Sequence, residues 1–344
     1  MSTILFVGGG SVGHIAPAIA VWNELKKIEP TAKAHFVCSE RPDDAAFLSA
    51  FGLPFTIFRA PRLSISFPFK FHQAKREANR ILSTLNPDVI FSKGGYVSVP
   101  ICLAAKKKGI PIILHESDTI GGRANKIVGA WAEKICTGFP IEMEKAVHTG
   151  NPVRSEITNG SKDAGLDITG FTGEKPILMV IGGSQGAQAI NEAVKKLLPK
   201  LLGLCDIIHI TGRGKNVATD TKGYWSRPFV NEELPHLYAC ASLALSRSGA
   251  GSIGELAANG IPAILVPLRG VGHDHQQKNA EHVESVGACL LIQQDKLESK
   301  LFEIVQNLVE DKAELQELSS SIKKLHNPDS AKKIANIILE DMNN

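Results

Sequence analysis

Short, wholly apolar runs alternate with stretches of helical periodicity along nearly all of this chain, and that alternation limits the folds open to it. In the first half the runs are Ile4–Val7, Ala34–Cys38, Phe55–Arg59, Val89–Ser92, Ile112–His115 and Lys134–Thr137. Each is apolar throughout rather than at every second residue, as parallel strands covered on both faces require. Helical patterns such as Ala18–Ile28 and Phe71–Leu85 lie between them. A βαβ order with right-handed crossovers predicts an α/β fold with a doubly wound parallel sheet. The series then restarts at Ile177–Ile181, Ile207–Thr211, Leu243–Ser246, Ala263–Val266 and Cys289–Ile292, and 344 residues is the length of two domains. Residues 151–174 are rich in Gly, Asn, Ser, Thr and Asp, with Pro152 and Pro176 near the ends, and read as a linker. We therefore expect two Rossmann-like domains, residues 1–155 and 156–328, with the active site in the cleft between them. Helical patterns at Lys296–Leu325 and Ser330–Met342 are broken by Asn327-Pro328, and segment 329–344 is expected to pack back on the first domain.

Composition removes several function classes. Lys plus Arg number 38 against 35 Asp plus Glu, a balance of +3 that argues against a dedicated nucleic-acid binder. Six scattered cysteines without a CxxC pair suit buried, reduced thiols in the cytoplasm. The amino-terminal residues carry no basic n-region and run straight into a strand pattern, unlike a secretory signal. No apolar run approaches the ~18 residues of a membrane span.

Glycine clusters mark three strand-to-helix turns: Gly8-Gly-Gly-Ser-Val-Gly-His14, Gly182-Gly-Ser-Gln-Gly-Ala187 and Arg247-Ser-Gly-Ala-Gly-Ser-Ile-Gly-Glu255. Glycine permits close backbone approach, and the free N–H groups at a helix start favour an anion, most often phosphate. Three such turns, with at least one in each half, predict a phosphorylated ligand. The first also matches G-x-G-x-x-G through Gly8, Gly10 and Gly13, and Glu40 follows the second strand where a dinucleotide fold holds a ribose. An NAD(P)-dependent oxidoreductase is thus the competing reading from another class. Against it, His14 occupies a position usually apolar in that motif, and the turns of the second half go unexplained.

Taken in order, Gly9-Gly-Ser-Val-Gly-His14 with Pro17, Lys93-Gly-Gly-Tyr-Val-Ser98, His115-Glu116, Asn125-Lys126, Gly150-Asn-Pro-Val-Arg154, Gly182–Ala187, Arg247–Ala250 and Glu255 resemble the MurG family, glycosyltransferase family 28. The likeness spans roughly the whole chain. It implies a GT-B fold, two Rossmann-like domains facing across a cleft. It also implies inverting transfer of N-acetylglucosamine from UDP-GlcNAc to the muramyl 4-hydroxyl of a polyprenyl-diphosphate-linked muramyl peptide (lipid I), giving lipid II for peptidoglycan. The implied location is peripheral, on the cytoplasmic face of the plasma (inner) membrane. Another glycolipid acceptor, or a UDP-GlcNAc epimerase, are the alternatives within the fold. Two departures stand out. Ser11 and Val12 replace the family's Thr and Gly in Gly-Gly-Thr-Gly-Gly-His, and a β-branched residue disfavours positive φ there. His115-Glu-Ser-Asp118 replaces His-Glu-Gln-Asn, which changes hydrogen bonding on the acceptor side.

Transfer needs a base for the acceptor hydroxyl and stabilisation of the departing UDP. His14 has a suitable reference pKa near ~6.5; base and simple binder remain equally open. The resemblance implies that Glu255 binds the ribose hydroxyls, although Ser252-Ile-Gly-Glu255 also reads as an S-x-x-E capping box. Ala250, Gly251 and Ser252 would then face the diphosphate and Val230 the uracil. Ser184, Arg154 and Asn125 resemble donor-binding residues, as do Ser11, Val12 and Gly13 of the first turn. Gln276 and Asn279 match residues on the sugar hydroxyls, with Gln277 open as the alternative to Gln276. No metal is expected: His273, Asp274 and His275 are adjacent, which rarely converges on one ion, and no DxD motif occurs. No cofactor is implied. Finally, Ile65, Phe67, Phe69 and Phe71 precede Lys75, Arg76 and Arg80, a pattern suited to an anionic membrane surface.

Overall fold

The computed structural model describes residues 2–61, 67–183, 186–215, 221–270 and 274–342, with only the backbone of Phe67 and Pro68. The chain divides into two compact units, one formed by Met1–Val153 with Asn327–Asn344 and the other by Arg154–His326.

In the first unit the strands are β1 (Thr3–Val7), β2 (Lys33–Cys38), β3 (Phe55–Ile57), β4 (Val89–Ser92), β5 (Ile112–Glu116), β6 (Lys134–Thr137) and β7 (Ala146–His148). They form one sheet in the order β3-β2-β1-β4-β5-β6-β7, each pair parallel. Helices α1 (Val12–Ile28), α2 (Pro42–Ala50), α3 (Phe67–Leu85), α4 (Ser98–Lys108) and α5 (Arg123–Gly129) connect them. Phe6 at the sheet centre stacks on Phe36 at 4.8 Å and meets Phe91 and Trp22 edge-on. Sequence reasoning missed β7, a three-residue edge strand, Ala-Val-His, that exposes Val147 and His148 and contains no wholly apolar run.

The second unit holds β8 (Ile177–Ile181), β9 (Asp206–Ile210), β10 (Tyr224–Arg227), β11 (Leu243–Ser246), β12 (Ala263–Leu265) and β13 (Leu290–Leu291), again all parallel, in the order β10-β9-β8-β11-β12-β13. Its helices are α6 (Lys162–Thr169), α7 (Gln188–Leu204), α8 (Leu234–Cys240), α9 (Ala250–Asn259), α10 (His275–Ser285), α11 (Leu297–Glu310) and α12 (Lys312–Lys323). The edge strand β10, Tyr-Trp-Ser-Arg, was also unanticipated, for the same reason.

Two expectations change. The small-residue segment taken as a linker contains α6, packed on α8 so closely that a β carbon on Gly160 or Gly165 would strike the backbone of Pro235 or His236. Glycine there serves helix contact, not flexibility. The long helical pattern ending near Leu325 is two helices joined at Asp311, whose carboxylate accepts the N–H groups of Ala313 and Glu314 and caps α12. After it, α13 (Ser330–Met342) buries Ile334, Ala335 and Ile338 in the first unit's core beside Ile19 and Trp22. All six cysteines are buried and unpaired.

Candidate active site

Each sheet reverses its strand order once, between β1 and β4 in the first unit and between β8 and β11 in the second. Ligands of doubly wound sheets bind at the carboxyl ends of the strands flanking such a switch point. The loops leaving those four ends are the glycine-bearing ones: Gly8–Gly10, Lys93–Gly95, Gly182–Gly183 and Arg247–Gly249. Three of these are the glycine turns picked out in the sequence; topology adds a fourth, Lys93–Gly95.

In the first unit Ser11 is the N-cap of α1, so Val12, Gly13 and His14 form the helix's first turn. Positive φ in this turn falls on Gly10 alone, at +96°. Val12 therefore meets no backbone requirement for glycine, which corrects the expected restriction. The turn's role as a phosphate loop is also revised. Gly10 N–H donates to the Asp44 carboxylate at 2.7 Å and to Ser39 Oγ at 3.1 Å, and Ser39 Oγ itself donates to Asp44 Oδ2 at 2.5 Å. With a buried carboxylate of its own chain held there, a dinucleotide pyrophosphate would meet like charge. Glu40, expected to hold a ribose in that reading, is exposed beside Arg59. Both observations weigh against the oxidoreductase.

His14 Nδ1 lies 3.3 Å from Ser11 Oγ. Burial first, and then the nearby Lys93 charge, push the imidazole below its ordinary pKa; Asp118, Asp44 and the Gly9 carbonyl oppose this more weakly. The ring is consequently neutral at pH 7 and able to accept a proton. Around it lies a polar group that sequence reasoning quoted only as motif. Lys93 is 2% exposed and its ammonium contacts His115 Nδ1 at 2.5 Å and Ser117 Oγ at 2.6 Å. Asn125 Nδ2 donates to Glu116 Oε2 at 2.7 Å, and Asn125 Oδ1 is buried without a hydrogen bond among the described residues. Burial raises the Glu116 pKa. Asp44, distant in sequence and on α2, carried no signal at all.

In the second unit α9 begins at Ala250 with Gly249 as N-cap. The expected Ser252–Glu255 capping box is absent because Ser252 sits two residues inside the helix. Glu255 Oε2 instead accepts the Tyr238 hydroxyl at 2.9 Å, and Oε1 has no hydrogen bond among the described residues. Burial raises the Glu255 pKa, while Tyr238 and the Arg154 charge lower it. Arg154, 7% exposed, thus belongs to the same cluster. Val230 is buried next to Phe229, over which the Arg213 guanidinium stacks at 4.7 Å. Gln276 Oε1 accepts Leu268 N–H at 3.1 Å, and Nε2 makes no bond among the described residues. Gln277 turns instead to Arg269 and Glu281. Asn279 is fully buried and donates to the Ser248 carbonyl at 3.1 Å, so what it does directly is hold the turn before α9. Asp274 Oδ1 accepts Gly270 N–H at 2.7 Å. Ser184 and His273 lie outside the described residues.

On the outer face of the first unit, Phe69 of α3 is 68% exposed and Phe71 half-buried. Ile65 lies outside the described residues, as does the Phe67 side chain. Arg76 is exposed, and Lys75 stands against Lys107 of α4, whose hydrogen-bonding contact and then like charge lower the Lys75 pKa. Lys106 and Lys108 share the last turn of α4 with Lys107.

The glycosyltransferase family 28 N-terminal domain matches residues 4–137 and the family 28 C-terminal domain residues 177–334. A UDP-N-acetylglucosamine–N-acetylmuramyl-(pentapeptide) pyrophosphoryl-undecaprenol N-acetylglucosamine transferase of Lachnoclostridium phytofermentans is 38% identical, over 99% of each chain. One bearing the same name in Clostridium botulinum strain Loch Maree is 37% identical over 87% of this chain and 88% of its own. The fold matches the crystal structure of Acinetobacter baumannii MurG with a TM-score of 0.74, at 24% identity over 99% of this chain and 100% of that one. With both family domains matched and a full-length relative at this identity, the chain belongs to glycosyltransferase family 28, in its MurG branch.

Proposed function

We propose that the protein transfers N-acetylglucosamine from UDP-GlcNAc to the muramyl 4-hydroxyl of lipid I, forming lipid II. The observation that carries this reading is the full-length match to transferases named for that reaction, on a chain whose two switch points hold a neutral histidine and a carboxylate–arginine pair. In the inverting step the acceptor oxygen gives its proton to His14 as it bonds to the sugar's anomeric carbon. The bond from that carbon to the UDP oxygen breaks, and UDP leaves with the electron pair. Negative charge grows on the diphosphate, and the N–H groups opening α9 suit it. In this reading Glu255 accepts from the ribose hydroxyls through Oε1, which makes no hydrogen bond among the described residues, with the Arg154 charge nearby. The first event needs the histidine neutral, the form that burial and the Lys93 charge favour. A radiolabel assay with UDP-GlcNAc and lipid I tests the proposal: label must appear in lipid II. Recovery of an epimerised sugar nucleotide with no transfer would overturn it.

We further propose that the protein works at the cytoplasmic membrane surface, docked through α3 and the basic end of α4. No helix among the described residues is long and apolar enough to cross a membrane. Lys75 and Lys107 bring two like charges together, and an anionic lipid surface attracts both. Phe69→Ser together with Lys107→Glu should weaken flotation with phosphatidylglycerol vesicles about tenfold or more. Equal flotation of variant and wild type would move the contact elsewhere.

A further inference from the structure

We infer that Lys93, Ser117 and Asp118 act as one set, Lys93 being a positioning residue that keeps His14 ready to accept the acceptor's proton. The inference rests on the reading of His14 as base. It begins from the departure at His115-Glu-Ser-Asp118, where the family pattern has Gln and Asn. The structure supplies a reason for both changes. His115 Nε2 faces the Gly150 carbonyl at 3.2 Å, so that nitrogen carries the proton and Nδ1 accepts from Lys93. Lys93 then needs a second, short acceptor, and Ser117 Oγ meets it at 2.6 Å. No carboxylate among the described residues lies within ion-pair distance of Lys93 Nζ, so Glu116 and Asp118 balance its charge from further away. Burial without direct pairing pushes the lysine down to about 7.

Gly8 separates Lys93 from His14. A β carbon there would lie 3.0 Å from Lys93 Cβ and 3.6 Å from His14 Cβ. Groups from several elements face His14: Lys93 after β4, Asp118 after β5, Asp44 on α2, and the Gly9 carbonyl and Ser11 hydroxyl on its own turn. Those facing Lys93 are His115, Glu116, Ser117, Asp118 and Cys136 of β6. Of the charged groups around the histidine, Lys93 alone opposes its protonation, whereas Asp118 and Asp44 favour it. In the acid range where His14 would charge, Lys93 is itself protonated and repels that second charge. Removing it leaves burial to hold the ring neutral, with the two carboxylates no longer opposed by a positive charge.

Lys93→Met removes the charge at similar length, and Lys93→Arg restores it. His14 is titrated by NMR in full-length protein, with His14→Gln identifying its signal, and kcat/KM for transfer is measured from pH 5.5 to 8.5. In Lys93→Met the His14 midpoint should rise by about one unit. The loss of kcat/KM at pH 6 should then exceed the loss at pH 8 by about tenfold, and Lys93→Arg should return both toward wild type. An unchanged His14 midpoint in Lys93→Met overturns the inference whatever the activity does. A raised midpoint with an unmoved acid limb supports the coupling and rejects His14 as base, which separates the two failures.

Discussion

His14→Gln should lower kcat for transfer by about a hundred- to ten-thousandfold while leaving the stabilisation by UDP-GlcNAc in thermal melting intact. The contacts proposed for the ribose and the diphosphate lie in the second unit, on α9, Glu255 and Arg154, whereas His14 opens α1 in the first. A base removed without disturbing the nucleotide's contacts affects the rate and not the binding. The pH profile gives an independent reading. Burial and Lys93 hold His14 below its ordinary value, so the neutral form predominates at pH 7, and the acid limb of kcat/KM must inflect below about 6.5. The same shift acts on stability. Between the lowered folded value and the unfolded one, the unfolded chain binds more protons, so this histidine's contribution is intact above pH 6.5 and is lost as pH falls. His209, buried between Tyr224 and Asn191 and pushed down to about 4, adds to that loss in the same direction. A His14→Gln variant retaining more than a third of wild-type kcat would remove the histidine from the chemistry and leave it a binder.

How much of this was legible in sequence depends on the physical signal each element carries. Central strands such as Val89–Ser92 and Leu243–Ser246 are buried on both faces and therefore wholly apolar, and their bounds were readable to the residue. Edge strands β7 and β10 have no such signature and were missed. Glycine is ambiguous for a related reason. In residues 151–174 it reads as linker composition, but Gly160 and Gly165 are there because α8 leaves no room for a β carbon. Within the candidate site, His14 and Glu255 stand out in the sequence because motif position and chemistry agree. The capping box failed on register: a four-residue pattern cannot say that the helix already began two residues earlier, at Ala250. Asp44 was invisible because its contact with Gly10 is made between α2 and the β1–α1 turn, 34 positions apart. Lys93 was quoted but given no role, since a lysine beside two glycines suggests a surface turn until its burial is known.

Two glycines in the strand-to-helix turns of the second unit should respond to alanine in opposite ways. Gly251 lies in the first turn of α9, and a β carbon there would meet no atom within 4 Å among the described residues. Nothing in the fold demands glycine, so Gly251→Ala should stabilise the protein by about 0.5–1 kcal/mol, the usual gain on replacing glycine inside a helix. If the diphosphate approaches this turn, the added methyl intrudes on it and donor affinity should fall by about 1–3 kcal/mol, the cost of overpacking a well-fitted contact. Gly186 is the reverse case. Its φ is +66°, and a β carbon would stand 2.2 Å from the Thr211 carbonyl oxygen and 2.7 Å from Gly212 Cα. That carbonyl cannot retreat freely, because Asn191 Nδ2 donates to it at 2.9 Å and Asn191 is itself fixed by His209. Gly186→Ala should therefore cost about 2–4 kcal/mol, from left-handed strain together with displaced backbone. Chemical denaturation and UDP titration of both variants read the four quantities at once. A more stable Gly251→Ala that binds UDP as tightly as wild type would take the diphosphate away from the opening of α9, and with it the account of how the leaving group is stabilised.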